Sequence, residues 1–315
     1  MKKTLLTICL VWMCFSLSAQ KIIDLSGKWS FSIDRQDNGE KEKWFSHTLN
    51  DCINLPGSMP EKLKGDEVTA KTQWTGSLYD SSYYYNPYME KYRKEGNIKF
   101  PFFLTPDKHY VGAAWYQKEV NIPADWKGER ILLFLERPHI ETTVWVNGQK
   151  TGMQNSLCVP HQYDITRYVR PGKCTITIRV DNRIKEINVG PDSHSITDQT
   201  QGNWNGIVGR ICLQTTPKTY FDDIQIYPEP EQKLARVKVV IKGTGTAKVK
   251  LSAESFNTDK KHIVPAIQQE IKLNKGVTET EMVLPMGNDM LLWDEFHPAL
   301  YKLKAEVTNG KKTEI

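Results

Sequence analysis

Between Tyr110 and Asn182 the sequence reads as consecutive β-strands, and at the centre Val144-Trp145-Val146 runs straight into Asn147-Gly148. This segment limits the possible folds more than any other. An alternating apolar strand needs a sheet with a buried face, and Asn-Gly supplies the two positive-φ positions of a type I′ hairpin turn. Strands from Trp115 to Val120, Arg130 to Glu136 and Ile140 to Val146 follow one another with Pro, Gly, Asn and Asp as punctuation. No stretch between them is long enough for a crossover helix, so the pattern predicts antiparallel pairing in a sandwich.

The same alternation appears on either side. Trp29, Phe31 and Ile33 share one face of a strand, and Cys174, Ile176, Ile178 and Val180 alternate with Thr175, Thr177 and Arg179, one face in and one face out. Tyr163 to Val169 reads as a short helical turn. From Met59 to Lys108 the periodicity stops, and prolines punctuate a polar and aromatic segment that reads as an elaborated loop. After Pro217 come shorter, lysine-rich strands: Asp223 to Tyr227, Ala235 to Ile241, Ala247 to Ala253, Val277 to Leu284 and Leu300 to Val307. Such spacing suggests an immunoglobulin-like sandwich.

Residues 1–19 have the layout of a secretory signal peptide: Lys2 and Lys3, an apolar core from Leu5 to Phe15, and small residues up to Ala19. The expectation is export, with a mature chain starting at Gln20. The apolar run is too short for an ordinary membrane span, and Trp12-Met13 before Cys14 is too bulky for a lipoprotein signal. The whole chain carries 42 basic and 37 acidic residues, a formal charge of +5. Without Lys2 and Lys3 this falls to near neutrality, and the basic residues are scattered, so a nucleic-acid partner is not expected. Cys52, Cys158, Cys174 and Cys212 would remain, too few for a disulfide scaffold, and their pairing is open. No CxxC or Cys/His cluster supports zinc, no phosphate-cradling glycine loop is present, and neither a metal nor another cofactor is expected.

Taken in order, Ala114-Trp115-Tyr116, Ile122-Pro123 with Trp126-Lys127-Gly128, Leu133-Phe134-Leu135-Glu136, Val144 to Gly148, Tyr163-Asp164-Ile165-Thr166 and Asn203-Trp204-Asn205-Gly206-Ile207 resemble the N-terminal sugar-binding domain of glycoside hydrolase family 2. The resemblance implies an all-β chain: a signal peptide over 1–19, a jelly-roll-type sandwich over 20–217, and an immunoglobulin-like sandwich over 218–315. Leu292-Trp293-Asp294, His297-Pro298 and Leu300 to Leu303 resemble the second domain's final hairpin, where a Trp-centred turn precedes the last strand.

In this family a third domain, a (β/α)8 barrel of about 250 residues, carries both catalytic carboxylates. Retaining hydrolysis needs two such groups about 5 Å apart. The family's acid/base glutamate follows an asparagine, and this sequence has no Asn-Glu pair. The expectation is therefore a noncatalytic portion of an exo-acting β-glycosidase, with the barrel and a β-linked carbohydrate as its partners. Asp222-Asp223 and Asp294-Glu295 are adjacent acids, but strand neighbours point to opposite faces and loop acids are usually solvated.

Resemblance also places Asp198, in the long polar loop 190–207, where a family loop reaches over the barrel mouth to substrate hydroxyls or a bound cation. Gln199, Asn203 and Asn205 are then candidate hydrogen-bond partners for a sugar, and Trp204 is a stacking or packing residue. The opposing reading makes Trp204 core and the polar residues an ordinary solvated loop. The ring-rich stretch holding Trp74, Tyr79, Tyr83, Tyr84, Tyr85, Tyr88 and Tyr92 could form a carbohydrate platform, pack on the barrel, or fold onto its own domain. Two alternatives remain: a stand-alone carbohydrate-binding protein and an adhesion module. A large bare apolar patch would favour the enzyme portion, and a polar surface with one concave aromatic site would favour independent binding.

Overall fold

The computed structural model of the chain describes residues 21–72, 81–99, 105–185, 202–310 and 312–314. It divides into two compact units, one covering Lys21–Thr215 and one covering the residues from Thr216 onward. The first unit contains strands β1 (Ile22–Asp24), β2 (Gly27–Asp34), β3 (Asp51–Leu55), β4 (Gly57–Ser58), β5 (Asp66–Glu67), β6 (Lys108–His109), β7 (Ala113–Ile122), β8 (Arg130–His139), β9 (Glu141–Val146), β10 (Gln149–Asn155), β11 (His161–Asp164), β12 (Gly172–Asp181) and β13 (Gly206–Thr216). One sheet runs β1-β13-β8-β11, with β4 on β13, and the other runs β10-β9-β12-β7-β2-β3. The pairings of β1 and β4 with β13, of β11 with β8, and all those of the second sheet are antiparallel.

The hairpin at the centre of the sequence forms as its residues dictate. Asn147 and Gly148 take φ of 50° and 77°, and β9 turns into β10 at that point. Between the sheets, Trp29, Phe31, Tyr116, Val144, Ile176 and Ile178 meet Leu133, Leu135, Ile207 and Leu213 in one core.

The outward face of β12 is covered along its second half. Thr177 and Arg179 are buried, as are Trp115 and Trp145 on the flanking strands. Residues 35–50 fold across this face as a second layer. Trp115 and Trp145 stack at 4.9 Å, Phe45 lies parallel on Trp145 at 5.2 Å, and Trp44 tilts against Trp115 at 6.1 Å. The Asp34 carboxylate fastens the cover by accepting from Trp115 Nε1 at 2.9 Å, Asn38 N–H at 2.9 Å and Gly39 N–H at 2.8 Å. An alternating pattern with tryptophans on both sides thus marks a strand covered on both faces.

The ladder between β5 and β6 closes the base of the irregular segment. Where a helical turn was expected over Tyr163 to Val169, Tyr163 and Asp164 instead complete β11, because its backbone groups pair with β8, and only a tight turn follows.

The second unit contains β14 (Tyr220–Glu229), β15 (Leu234–Phe256), β16 (Ile263–Pro285), β17 (Leu300–Asn309) and β18 (Lys312–Glu314). The separate strands expected at Ala235–Ile241 and Ala247–Ala253 are one strand of 23 residues. It pairs with β14 along its first part, with β17 along its second, and with β16 along most of its length. The register slips at Gly243/Gly245, and Val237, Val239 and Ile241 share a core cluster with Val249, Leu251 and Val307. A bulge absorbs the bend, so one long hairpin supplies both halves of the sandwich. β18 follows β17, so the hairpin after Trp293 is not the last pairing. All four cysteines from Cys52 onward are free, Cys52 and Cys158 exposed and Cys174 and Cys212 buried.

Candidate functional site

The loop over residues 190–207 carries the residues singled out for sugar contact, and Asp198 and Gln199 lie outside the described residues. Asn203, Trp204 and Asn205 are described, at the point where the chain enters β13. Both asparagines are turned inward and buried.

Asn205 Nδ2 donates to Gly112 O and to Val180 O, each at 2.9 Å, and its Oδ1 accepts from Tyr116 Oη at 2.8 Å. Both amide donors are therefore consumed inside the protein. Asn203 Nδ2 donates to Asn182 O at 2.9 Å, and its Oδ1 accepts from Asn182 Nδ2 at 3.0 Å. Asn182 also donates to Tyr110 O and accepts from Gly112 N–H, each at 2.8 Å. Three side-chain amides thus tie the ends of β7, β12 and β13 together. Both side chains are thus bonded to protein groups within this unit, as buried amides generally are.

Trp204 is half-buried. Its ring stacks on His139 at 4.6 Å and 27°, and its carbonyl lies 2.8 Å from His139 Nδ1. Burial pushes the His139 imidazole down to about 4, although two backbone hydrogen bonds oppose the shift. The ring is neutral near pH 7, with Nδ1–H donating to the carbonyl. A 15N spectrum at pH 6 is expected to read a neutral Nδ1–H ring at His139; an imidazolium signal would contradict this geometry.

On the other flank of the loop, where β12 ends, sits an ionic cluster. Asp181 is fully buried and accepts from Arg179 at 3.0 Å, from Arg183 Nη2 at 2.5 Å and from Lys185 at 2.9 Å. Asp37, from the covering segment, bonds Arg179 at 2.6 Å and Arg183 at 2.5 Å, and Glu141 pairs with Lys185 at 3.0 Å. Burial alone would push the Asp181 carboxyl up. The hydrogen bonds from Arg183 and Lys185 and the Arg179 charge outweigh it and hold the group well below the usual carboxylate range. Sequence reading missed Asn182, His139 and this cluster. The available signal was the density of charged and amide residues from Arg179 to Lys185, directly before a long polar loop.

Gly206 pairs with Ser58 where β13 meets β4. Its φ is +146°, and a Cβ there would lie 2.5 Å from Gly57 O. The glycine permits a close strand approach rather than a turn. Gly206→Ala is expected to destabilise this unit by about 2–3 kcal/mol in urea unfolding, at the upper end of ordinary single substitutions; an unchanged midpoint would contradict the close contact.

In the aromatic stretch, Tyr83 is buried, donates to Tyr92 O at 3.0 Å and lies under the Arg93 guanidinium. Tyr85 and Tyr88 are exposed, and Trp74 and Tyr79 lie outside the described residues. Trp145 is core. Among the adjacent acids, Asp222 pairs with Lys242 at 2.9 Å, Asp223 accepts from Gln225 at 2.7 Å, and Asp294 accepts the Phe296 and His297 N–H groups. Among the described residues no group of three His, Cys, Asp or Glu side chains could hold a metal, and no helix is long and apolar enough to cross a membrane.

Residues 22–217 match the sugar-binding domain of glycosyl hydrolases family 2, and residues 219–315 match a second domain of the same family. The human β-glucuronidase is 24% identical over 90% of this chain and 41% of its own length, and that of Paenibacillus borealis is 24% identical over 92% and 43%. Among solved structures, a β-glucuronidase from an uncultured Clostridium sp. aligns with a TM-score of 0.58 at 19% identity, covering 94% of this chain and 44% of that one. The Ruminococcus gnavus β-glucuronidase gives 0.57 at 18%, over 93% and 43%. The chain thus spans less than half the length of these relatives. With both of its modules matched in sequence and both built as antiparallel β structure, it belongs to glycoside hydrolase family 2.

Proposed function

We propose that the chain is the N-terminal, noncatalytic part of an exported exo-acting β-glycosidase, that it scaffolds a catalytic barrel, and that the enzyme's substrates are β-glucuronides. The family match across both modules carries this reading, and the β-glucuronidases among the relatives supply the substrate class. The framing of loop 190–207 from both flanks fits a role in completing a sugar pocket with Asp198 and Gln199. Export rests on the charged start, apolar core and small-residue end of residues 1–19.

The carboxylates support the noncatalytic part of the proposal. A general acid for glycoside cleavage needs its pKa raised towards neutrality. Among the described residues, each Asp or Glu clearly moved from its ordinary value is moved downward, Asp181 and Asp294 included. The direct test compares p-nitrophenyl β-D-glucuronide hydrolysis by the 315-residue chain with that by the product recovered from its native host. Turnover is expected only from the native product. Hydrolysis by the chain alone, abolished by substituting one of its own acids, would overturn the proposal.

A further inference from the structure

We propose that the end of the second unit bearing Phe256, Leu292, Trp293, Phe296 and Leu300 is a docking surface for the remainder of the family's polypeptide, the part of the relatives' length that this chain does not cover. The inference rests on the function proposed above and adds the place of contact.

Five large apolar side chains gather there. Phe256 and Leu300 are opposite each other on β15 and β17, exposed by 44% and 42%. Leu292, Trp293 and Phe296, on the segment before β17, are exposed by 59%, 61% and 80%. Hydrogen bonds hold that segment in shape. The Asp294 carboxylate accepts from Phe296 N–H at 2.8 Å and from His297 N–H at 2.7 Å, while Asp294 N–H donates to His297 O at 3.1 Å. Trp293 bridges to Pro298, and Asn257 Nδ2 donates to Pro298 O at 2.8 Å. Tyr301 Oη accepts from Leu291 N–H at 2.9 Å beneath it. The rings are thus held outward on a fixed frame, beside a groove of about 600 Å3 with Met290 and Leu291 in its wall and Asp259, Lys260 and His297 at its edge. An apolar centre with a polar rim, ordered before contact, is what a protein interface presents. Aliphatic Leu and Met in the wall fit a protein partner better than a sugar, whose hydroxyls they cannot bond.

Area decides between occupants. The five side chains leave roughly 500 Å2 bare, the upper end for a monomer's largest patch. Two copies meeting through it would bury about 1,000 Å2, short of the roughly 1,200–2,000 Å2 of a stable complex. A covalently joined domain needs only about 600–1,500 Å2, because the tether supplies the effective concentration. The relatives' uncovered length, more than half of each, provides such a domain.

Hydroxyl-radical labelling read by mass spectrometry tests this on the 315-residue chain and on the longer product from the native host, with Tyr227 as the reference ring. Oxidation of Trp293 and Phe296 is expected to fall at least about fivefold in the longer product. Equal oxidation in both would overturn the docking surface and leave the longer hydrolase standing. Absence of any longer product would overturn both. Protection of Trp293 in a concentration-dependent dimer of the short chain would give the surface to a second copy and overturn the proposal. Trp293→Lys with Phe296→Lys is expected to leave the thermal midpoint of the short chain unchanged and to lower that of the longer product. A loss in the short chain would mean that the rings serve its own fold, again overturning the proposal.

Discussion

Replacing Asn205 by leucine is expected to destabilise the Lys21–Thr215 unit by about 3–5 kcal/mol, the larger of two big effects. The amide is fully buried, and its removal takes the acceptor from the Tyr116 hydroxyl and one donor each from the Gly112 and Val180 carbonyls, Gly112 O keeping Asn182 N–H at 3.4 Å. Each buried group left unpaired costs about 1–3 kcal/mol, and leucine offers none of them a substitute. Urea unfolding followed by tryptophan fluorescence reads this unit well, since Trp29, Trp44, Trp115, Trp126, Trp145 and Trp204 all belong to it. A loss below about 1 kcal/mol would contradict the buried, bonded position of Asn205.

Asp181→Asn is expected to cost about 3 kcal/mol at pH 7. Breaking one partner of a buried ion pair costs about 3–5 kcal/mol, and the lower end applies because Asp37 and Glu141 still face Arg179. The pH dependence has a fixed sign. Asp181 has its folded pKa lowered, so its contribution is complete above the unfolded value near 3.9 and is lost as pH falls from there towards the lower folded value. The parent protein should lose stability below about pH 4, and the variant should show a shallower acid limb. Parallel acid limbs would remove Asp181 from the account.

How much of this was legible depended on whether a residue's role followed from period and turn chemistry. The Val144 to Gly148 hairpin, the inward faces of β2 and β12, and the two-sandwich class were readable because an apolar period of two has few other outlets. The second cover over Trp115, Trp145 and Arg179 was not. Its segment, residues 35–50, is mostly polar, and only tertiary contact reveals that Asp34 fastens it across the sheet. The bend that joins β15 into one strand looked like a break, because glycines at Gly243 and Gly245 serve bulges and turns equally well.

At the candidate site, the burial of the described residues was not legible. The polar run of residues 190–207 marked a candidate, whereas the inward turn of Asn203 and Asn205 depends on backbone groups of Gly112, Val180 and Asn182 that are distant in sequence. A polar residue in a polar segment reads as solvated until its partners are known. Asp181 was hidden for the opposite reason, closing an otherwise regular strand whose period gives no hint of three cations converging on its last residue.

The central claim is that these two sandwiches form the front of a longer family 2 hydrolase, and the intact mass of the native product tests it most directly. Recovered from its host with an antibody against residues 20–217, the product is predicted to exceed this chain by at least roughly 250 residues, the size of a catalytic barrel. A mass matching residues 20–315 would contradict the account and leave a protein whose two modules act without a catalytic partner.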